Sequence, residues 1–399
     1  MQKLWIATEL FYPEETSTSF ILTKIANKLT EKYAVEVVCG EPVYDKNKKS
    51  ESFTLNPAIS IHRIKGLKSD KNSLVDRSIR FFFLSFALFF YLLKNVKKGE
   101  KVFIVTNPAP LILLISILKS LKKIKVVILV HDVFPENTIP AGIFKSTDSW
   151  MYKILKRKFD RSYAKADELI VLGRDMQEIV SSKTNNFKNP PHITVIENWG
   201  DTENIYPLLK DEAFESNSVF KDKIIFQYAG NMGRVQGLLD LLKIIGQINN
   251  DQLAFYFVGE GAVKEEMINY VNSFKISNVY FGNAYSRDEQ ISVLNQADCA
   301  FVSLAQGMYG LGVPSKTYNI LAAGKPILYI GEENSEINLL VKENNIGYTF
   351  QKEEELIAFF NNFNQESLRD LNIKKINARK VAVDFFSEQL ILNKFFKAI

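Results

Sequence analysis

Two cysteines and three histidines are few for a chain of 399 residues. Cys39 and Cys299 stand far apart with no CxxC pair, so neither a disulfide framework nor a Cys/His zinc site can be assembled. A reducing cytoplasm is the expected compartment. Long apolar runs are missing too: the longest, Phe81 to Leu93, has 13 residues, whereas a spanning helix needs about 20. The opening MQKLWIATEL offers one lysine and four apolar residues before Glu9. That is too short and too soon charged for a signal peptide, so the mature chain is expected to begin at Met1. Low-complexity tracts and short repeats are absent, and 46% hydrophobic with 24% charged residues excludes disorder, collagen and coiled coil.

Several chemical signatures are also missing. The first strand-to-helix loop, Glu9 to Ser19, has no glycine and therefore no GxGxxG, the pattern that lets a pyrophosphate approach the backbone. A nicotinamide or flavin dehydrogenase is excluded on that ground. There is no Walker A, HExxH or GxSxG motif, and no pair of aspartates at DxD spacing to hold a metal-bound nucleotide phosphate. Neither a cofactor nor a metal is expected.

What is present is a repeated βα pattern. LWIAT, VEVVCG, ISIHRI, KVFIVT, KVVILV, ELIVL and ITVIEN are strand candidates in the first 200 residues, separated by segments of helical period. IIFQYAG, AFYFVG, NVYFG, CAFVSL and PILYIG form a second series. This predicts an α/β protein with two parallel-sheet domains covered by helices on both faces. The domains are read as 1–203 and 204–385, with 386–399 a closing helix that can pack back on the first; the polar stretch Gly200 to Asp222 reads as the linker. Charge divides the halves. Residues 1–200 hold 31 Lys+Arg against 20 Asp+Glu, whereas residues 201–399 hold 19 against 25. The first half therefore suits an anionic partner. Nucleic acid is not that partner, because the basic residues are not interleaved with aromatics in any recognisable module.

In open α/β sheets ligands bind beyond the carboxyl ends of strands, so the following loops carry the chemistry. After IIFQYA comes Gly230-Asn231-Met232-Gly233-Arg234, where glycines permit close backbone approach and Arg234 supplies a fixed cation for a phosphate. An ordinary βα turn explains that loop equally well. Gly312-Val313-Pro314-Ser315-Lys316 leads into TYNILAAG with Ser315 as the expected N-cap. Lys316 in the first turn opposes the helix dipole, a conflict that a bound anion removes, although a solvated lysine also fits. Gly259, Glu260, Asn283 and Tyr285 follow two further strands and are candidates for a base, ribose or sugar. In the first half, ILVHDVFPEN sets His131 and Asp132 directly after an apolar strand, which makes them the candidate catalytic pair. Glu14, Glu15 and Thr16 in the first loop are acceptor candidates. The run Phe81 to Leu93 is bracketed by Arg77, Arg80, Lys94, Lys97 and Lys98. It reads either as a buried helix or as a segment lying in an anionic headgroup layer.

VHDVFPEN and VIENWGD upstream, then AGNMGRVQGLLDLL, FVGEG, GNAYSRDEQISVLNQADCAFVSL and VPSKTYNILAAGKPI, in this order over nearly the whole chain, resemble glycosyltransferase family four. The branch that adds fucose-like or N-acetylamino sugars during O-antigen and capsule assembly is the most similar. The resemblance implies a GT-B fold, two Rossmann-like domains facing across a cleft, with acceptor on the first and nucleotide sugar on the second. It also implies a retaining, metal-independent transfer of a hexosyl or acetamido-hexosyl unit from a UDP-, GDP- or dTDP-linked donor. The acceptor it implies is linked to a polyprenyl diphosphate at the cytoplasmic face of the inner membrane. In such enzymes the histidine at the position of His131 contacts the donor sugar, and basic residues at Arg234 and Lys316 hold the diphosphate. The pattern departs at four places: Asn319 and Leu311 stand where two glutamates are usual, Gln236 replaces a lysine, and Thr16-Ser17-Thr18 replaces a glycine pair. Two other readings share the fold: a nucleotide-sugar 2-epimerase, and a non-catalytic nucleotide-sugar-binding partner subunit.

Overall fold

The computed structural model describes residues 1–42, 53–66, 74–209, 220, 222–350 and 352–399, with the side chains of 74–78 outside the description. The Arg77 side chain and nearly half of the supposed linker, residues 210–219 and 221, therefore lie outside the described residues. The chain divides into two compact units. The first holds residues 1–197 with the stretches 310–312 and 392–399, and the second holds 198–309 and 313–391. The passages thus fall at 197/198 and 391/392, against expected boundaries at 203/204 and 385/386.

In the first unit the order is β1 (Lys3–Thr8), α1 (Ser17–Leu29), β2 (Ala34–Gly40), β3 (Ser60–Ile64), α2 (Leu74–Asn95), β4 (Lys101–Val105), α3 (Pro110–Lys122), β5 (Lys125–Val130), α4 (Trp150–Tyr163), β6 (Glu168–Val171), α5 (Arg174–Thr184) and β7 (His192–Val195). All seven strands are parallel in the order β3-β2-β1-β4-β5-β6-β7. Strands covered on both faces need apolar residues on both, and Val126 to Val130 are accordingly buried without alternation. The order reverses between β1 and β4, which opens a crevice beyond their carboxyl ends. The apolar run of α2 splits by helical period: Leu84, Leu88, Phe89 and Leu92 are buried, whereas Phe82, Phe83, Phe86 and Phe90 face outward, Phe90 at 60% exposure. It is neither a wholly buried helix nor a uniformly exposed one.

The second unit follows the same logic with β8 (Ile224–Ala229), α6 (Leu238–Ile245), β9 (Leu253–Val258), α7 (Lys264–Phe274), β10 (Val279–Gly282), α8 (Gln290–Asn295), β11 (Cys299–Ser303), α9 (Lys316–Ala322), β12 (Ile327–Ile330), α10 (Glu336–Asn344), β13 (Gly347–Thr349), α11 (Glu353–Asn361), α12 (Gln365–Phe385) and α13 (Glu388–Ala398), whose last residues count with the first unit. Its strand order is β10-β9-β8-β11-β12-β13, again all parallel, with the reversal between β8 and β11. The three-residue edge strand β13 is too short to stand out in the sequence. Phe226, Phe255, Phe257 and Phe301 pack beneath the sheet, with Phe360 edge-on to Phe226 at 4.9 Å. The beginning of the stretch read as a linker is packed in place. Arg379 donates to the carbonyls of Thr202, Ile205 and Ala322, and Gly200 N–H to Phe386 O at 2.9 Å. A Cβ on Gly200 would lie 2.4 Å from Tyr318 O, so glycine is needed for that approach.

Candidate active site

In the second unit the loops after β8 and β9 are stitched together at the carboxyl end of the sheet. Gly230 N–H donates to Val258 O, and Met232 N–H to Glu260 O, at 2.9 and 2.8 Å. Contact this close has no room for side chains: a Cβ on Gly259 would stand 2.1 Å from Gly230 O, and the φ of +137° there also requires glycine. Gly259 therefore serves loop packing. Against this floor lies Lys316, the first residue of α9. Its Nζ is buried and has no hydrogen-bond partner among the described residues. It sits 3.4 Å from the centroid of the Tyr228 ring and 3.2 Å from where a Cβ of Gly230 would be. Burial pulls the ammonium down to about 7, because a charge taken from water without a counter-ion is unfavourable. Tyr228, fully buried, donates from Oη to Asn231 O at 2.6 Å, and burial raises its phenol, with Tyr285 adding to the effect. Tyr285 is half-buried, its own phenol pushed up to about 12 by burial.

The other candidates of this unit are distributed less evenly. Arg234 and Asn231 are exposed on the same loop, Arg234 in a single 3-10 turn following Gly233. Gln236 stands beside them with a buried, unpartnered Oε1. Ser315 occupies the cap position of α9 but has helical dihedrals and makes no side-chain capping bond, which corrects the expected N-cap. Glu260 is ion-paired with Lys264 at 2.7 Å, and Asn283 is exposed. Asn319 is engaged within the unit, accepting from Asp201 N–H at 2.9 Å and donating to Gln290 at 3.3 Å.

In the first unit His131 and Asp132 follow β5. Thr106, at the end of the neighbouring β4, accepts both of their backbone N–H groups through Oγ1 at 3.1 Å. The stretch 310–312 runs antiparallel to them: Asp132 bridges Gly312, and Val133 N–H donates to Leu311 O at 3.0 Å. His131 Nε2 is buried without a partner, and burial lowers the imidazole to about 4, so the ring is neutral at pH 7. Burial raises the Asp132 carboxyl to about 6. Beyond them, Lys183, its side chain 1% exposed, reaches Glu136 at 2.5 Å and Asp160 at 2.6 Å, while Lys156 joins the same two carboxylates at 2.9 Å. This network fixes residues 134–138 to α4 and α5. In the loop after β1, Glu14 is buried and Glu15 half-buried, so they are not the solvated pair expected of loop glutamates. Thr16 caps α1 by accepting from Ser19 N–H at 3.3 Å.

The fold therefore gathers Gly230, Tyr228, Tyr285 and Lys316 at one crevice, and His131, Asp132 and Thr106 at the carboxyl end of the other sheet. Thr106 and Tyr228 were not singled out in the sequence. The only hint was their place at the end of strands adjoining the reversal points. Among the described residues no cluster of His, Cys, Asp and Glu could hold a metal ion.

Residues 210–368 match the family model of glycosyl transferases group 1. The chain is 31% identical over 397 residues to the probable glycosyltransferase WbjE of Pseudomonas aeruginosa, covering 99% of this chain and 97% of that one. In three dimensions it is similar to sucrose-phosphate synthase of Thermosynechococcus elongatus, with a TM-score of 0.77 at 14% identity over 100% and 98% of the two chains. It is similar also to Anabaena HepE solved in complex with UDP, with a TM-score of 0.69 at 12% identity over 100% and 99%. Two Rossmann-like units of parallel sheet, each with its crevice at the strand reversal, together with a near full-length relative, identify the chain as a member of the group 1 glycosyl transferases, family four, with the GT-B fold.

Proposed function

We propose that this glycosyltransferase moves a hexosyl or acetamido-hexosyl unit, with retention and without a metal, from a nucleotide-diphosphate sugar on the second unit to a lipid-linked or growing surface-polysaccharide acceptor. The observation that carries the reading is the buried, unpartnered ammonium of Lys316 beside Gly230. A cation kept from water with its donors unused is costly, and a diphosphate oxygen satisfies both its charge and its hydrogen bonds. HepE, of the same fold, binds UDP, which supports a nucleotide donor here.

Breaking the glycosyl–phosphate bond puts positive charge on the sugar and one more negative charge on the departing diphosphate. Lys316, Arg234 and the main-chain groups of Gly230, Asn231, Gly233 and Ser315 face that growing charge, and donors fixed in advance do so without reorganisation. His131, neutral at pH 7, offers Nε2 to a hydroxyl of the transferred sugar. Asp132 beside it, with Glu14 and Glu15 after β1, orients the acceptor. Tyr285 and Asn283 flank the base or sugar. The acceptor is presented at an anionic membrane surface, which the outward phenylalanines of α2 and the lysines Lys94, Lys97 and Lys98 suit. No helix among the described residues is long and apolar enough to cross a membrane.

The test is a thermal-shift panel of UDP, GDP, dTDP and their sugars. One nucleotide series should raise the melting temperature in a saturable way, as RT ln(1 + [L]/Kd) requires. Flat melting curves across the whole panel would sink the reading.

A further inference from the structure

We propose that Tyr228 is a positioning residue of the donor site: its ring holds the Lys316 side chain against the 230–234 loop and supports its charged form when a diphosphate binds, while its hydroxyl fixes Asn231 in that loop. The inference rests on the donor reading above and extends it to a residue that touches no substrate. An ammonium has three donors and no acceptor, and burial leaves those of Lys316 with no hydrogen-bond partner. The negative face of an aromatic ring within about 6 Å attracts such a cation but supplies no hydrogen bond. At 3.4 Å from the ring centroid, Lys316 Nζ lies over the ring yet is unsatisfied in hydrogen bonding among the described residues. Phosphate oxygens supply the missing hydrogen bonds and counter-charge, with the ring still beneath the protonated amine. Tyr228 also ties the loop to the same point through the 2.6 Å bond from its Oη to Asn231 O. One side chain thus sets both the cation and the backbone that would meet the diphosphate.

The titratable groups facing this point are Tyr228 from β8 and Tyr285 from the loop after β10, with Arg287 acting on Tyr285. Both phenols are pushed up by burial and stay neutral through pH 9, so Lys316 is the group that titrates near neutrality. Binding of a diphosphate diester then draws a proton onto it, about three-quarters of one per site at pH 7.5 for an ammonium near 7.

The experiment is calorimetry with UDP-glucose, GDP-mannose and dTDP-glucose, whose diphosphates do not titrate between pH 5 and 9, in two buffers of different ionisation enthalpy. Wild type should bind one of them and take up most of a proton. Tyr228→Phe, which keeps the ring, should hold affinity within about threefold and the same proton uptake. Tyr228→Leu should lose about tenfold in affinity, and that loss should vanish in a Lys316→Met background. Should Tyr228→Leu not fold, tetrafluorophenylalanine at position 228 weakens the ring's negative face at constant shape and should give the same coupled loss. Equal losses with and without Lys316, or wild-type binding after removal of the ring, would overturn the role of Tyr228 while leaving the donor site standing. Binding of none of the three donors by wild type would fell both.

Discussion

Lys316 and the pair His131 and Asp132 show how burial sets chemistry side chain by side chain. Removing the Lys316 ammonium should cut turnover by about 10²–10³, the scale for losing one preorganised donor to a developing oxyanion. Steady-state rates of Lys316→Ala at saturating donor check this, and a rate equal to wild type would remove Lys316 from the mechanism. His131 and Asp132 oppose one another in stability. The imidazole is depressed from 6.5 to about 4, so the unfolded chain binds more protons between those values and stability rises with pH across that window. The Asp132 carboxyl is raised from 3.8 to about 6, so there the folded chain holds the extra proton and stability falls with rising pH. In the wild type the two contributions largely cancel between pH 4 and 6. Asp132→Asn removes only the falling one. Its stability relative to wild type should therefore increase from pH 4 to 6, as followed by urea titrations at each pH, and a constant difference would contradict the burial of Asp132. The pattern H-D after an apolar strand was visible in the sequence; the Thr106 hydroxyl that holds both backbone amides was not, because it belongs to another strand.

Among the helices, α4 and α5 hold the segment that follows His131 and Asp132, and α2 offers an outward apolar stripe. Lys183→Met leaves the half-buried Glu136 and Asp160 with Lys156 as their remaining cation among the described residues, and removing the buried partner of such a network costs up to about 3 kcal/mol. A lowered urea midpoint with an unchanged slope is the expected result. For α2, Phe86→Glu with Phe90→Glu should abolish flotation with anionic liposomes at low salt while leaving the melting temperature within a few degrees, since both rings already face outward. Wild-type protein that fails to float at low salt would dispose of the membrane reading. Sequence composition alone left α2 undecided, since a 13-residue apolar run suits a core or an interface equally. The helical period, once anchored by Leu84, Leu88 and Leu92 in the core, decides which phenylalanines remain outside.

For the protein as a whole, the proposed leaving-group chemistry leads to two expectations about the reaction. The product should keep the anomeric configuration of the donor, read from the proton coupling at the anomeric centre. A chelator should leave the rate unchanged if, as proposed, Lys316, Arg234 and main-chain amides meet the diphosphate charge. Inversion, or loss of rate with EDTA that divalent ions restore, would refute the mechanism. A C2 epimer of the donor sugar formed without any acceptor would instead mark a 2-epimerase.

The order of apolar β-branched runs was enough to specify two parallel sheets, because strands covered on both faces must be apolar throughout and neighbours of helical period must lie between them. Ten of the strands follow from that rule, and the edge strands β3 and β7 stand out by their β-branched residues; β13 does not, being three residues at an edge where few contacts demand an apolar signature. Glycine-bearing loops after β8 and β9 were equally visible, but their reason was not. Gly259 is needed for the approach of two backbones, and that contact exists only after the sheet has brought the loops side by side. Likewise, a lysine at the start of a helix reads as solvated until the fold places Tyr228 beneath it and removes the water. Composition and period fix local structure because they act along the chain; desolvation and proximity act across it, and these determine which charges remain unsatisfied and available for chemistry.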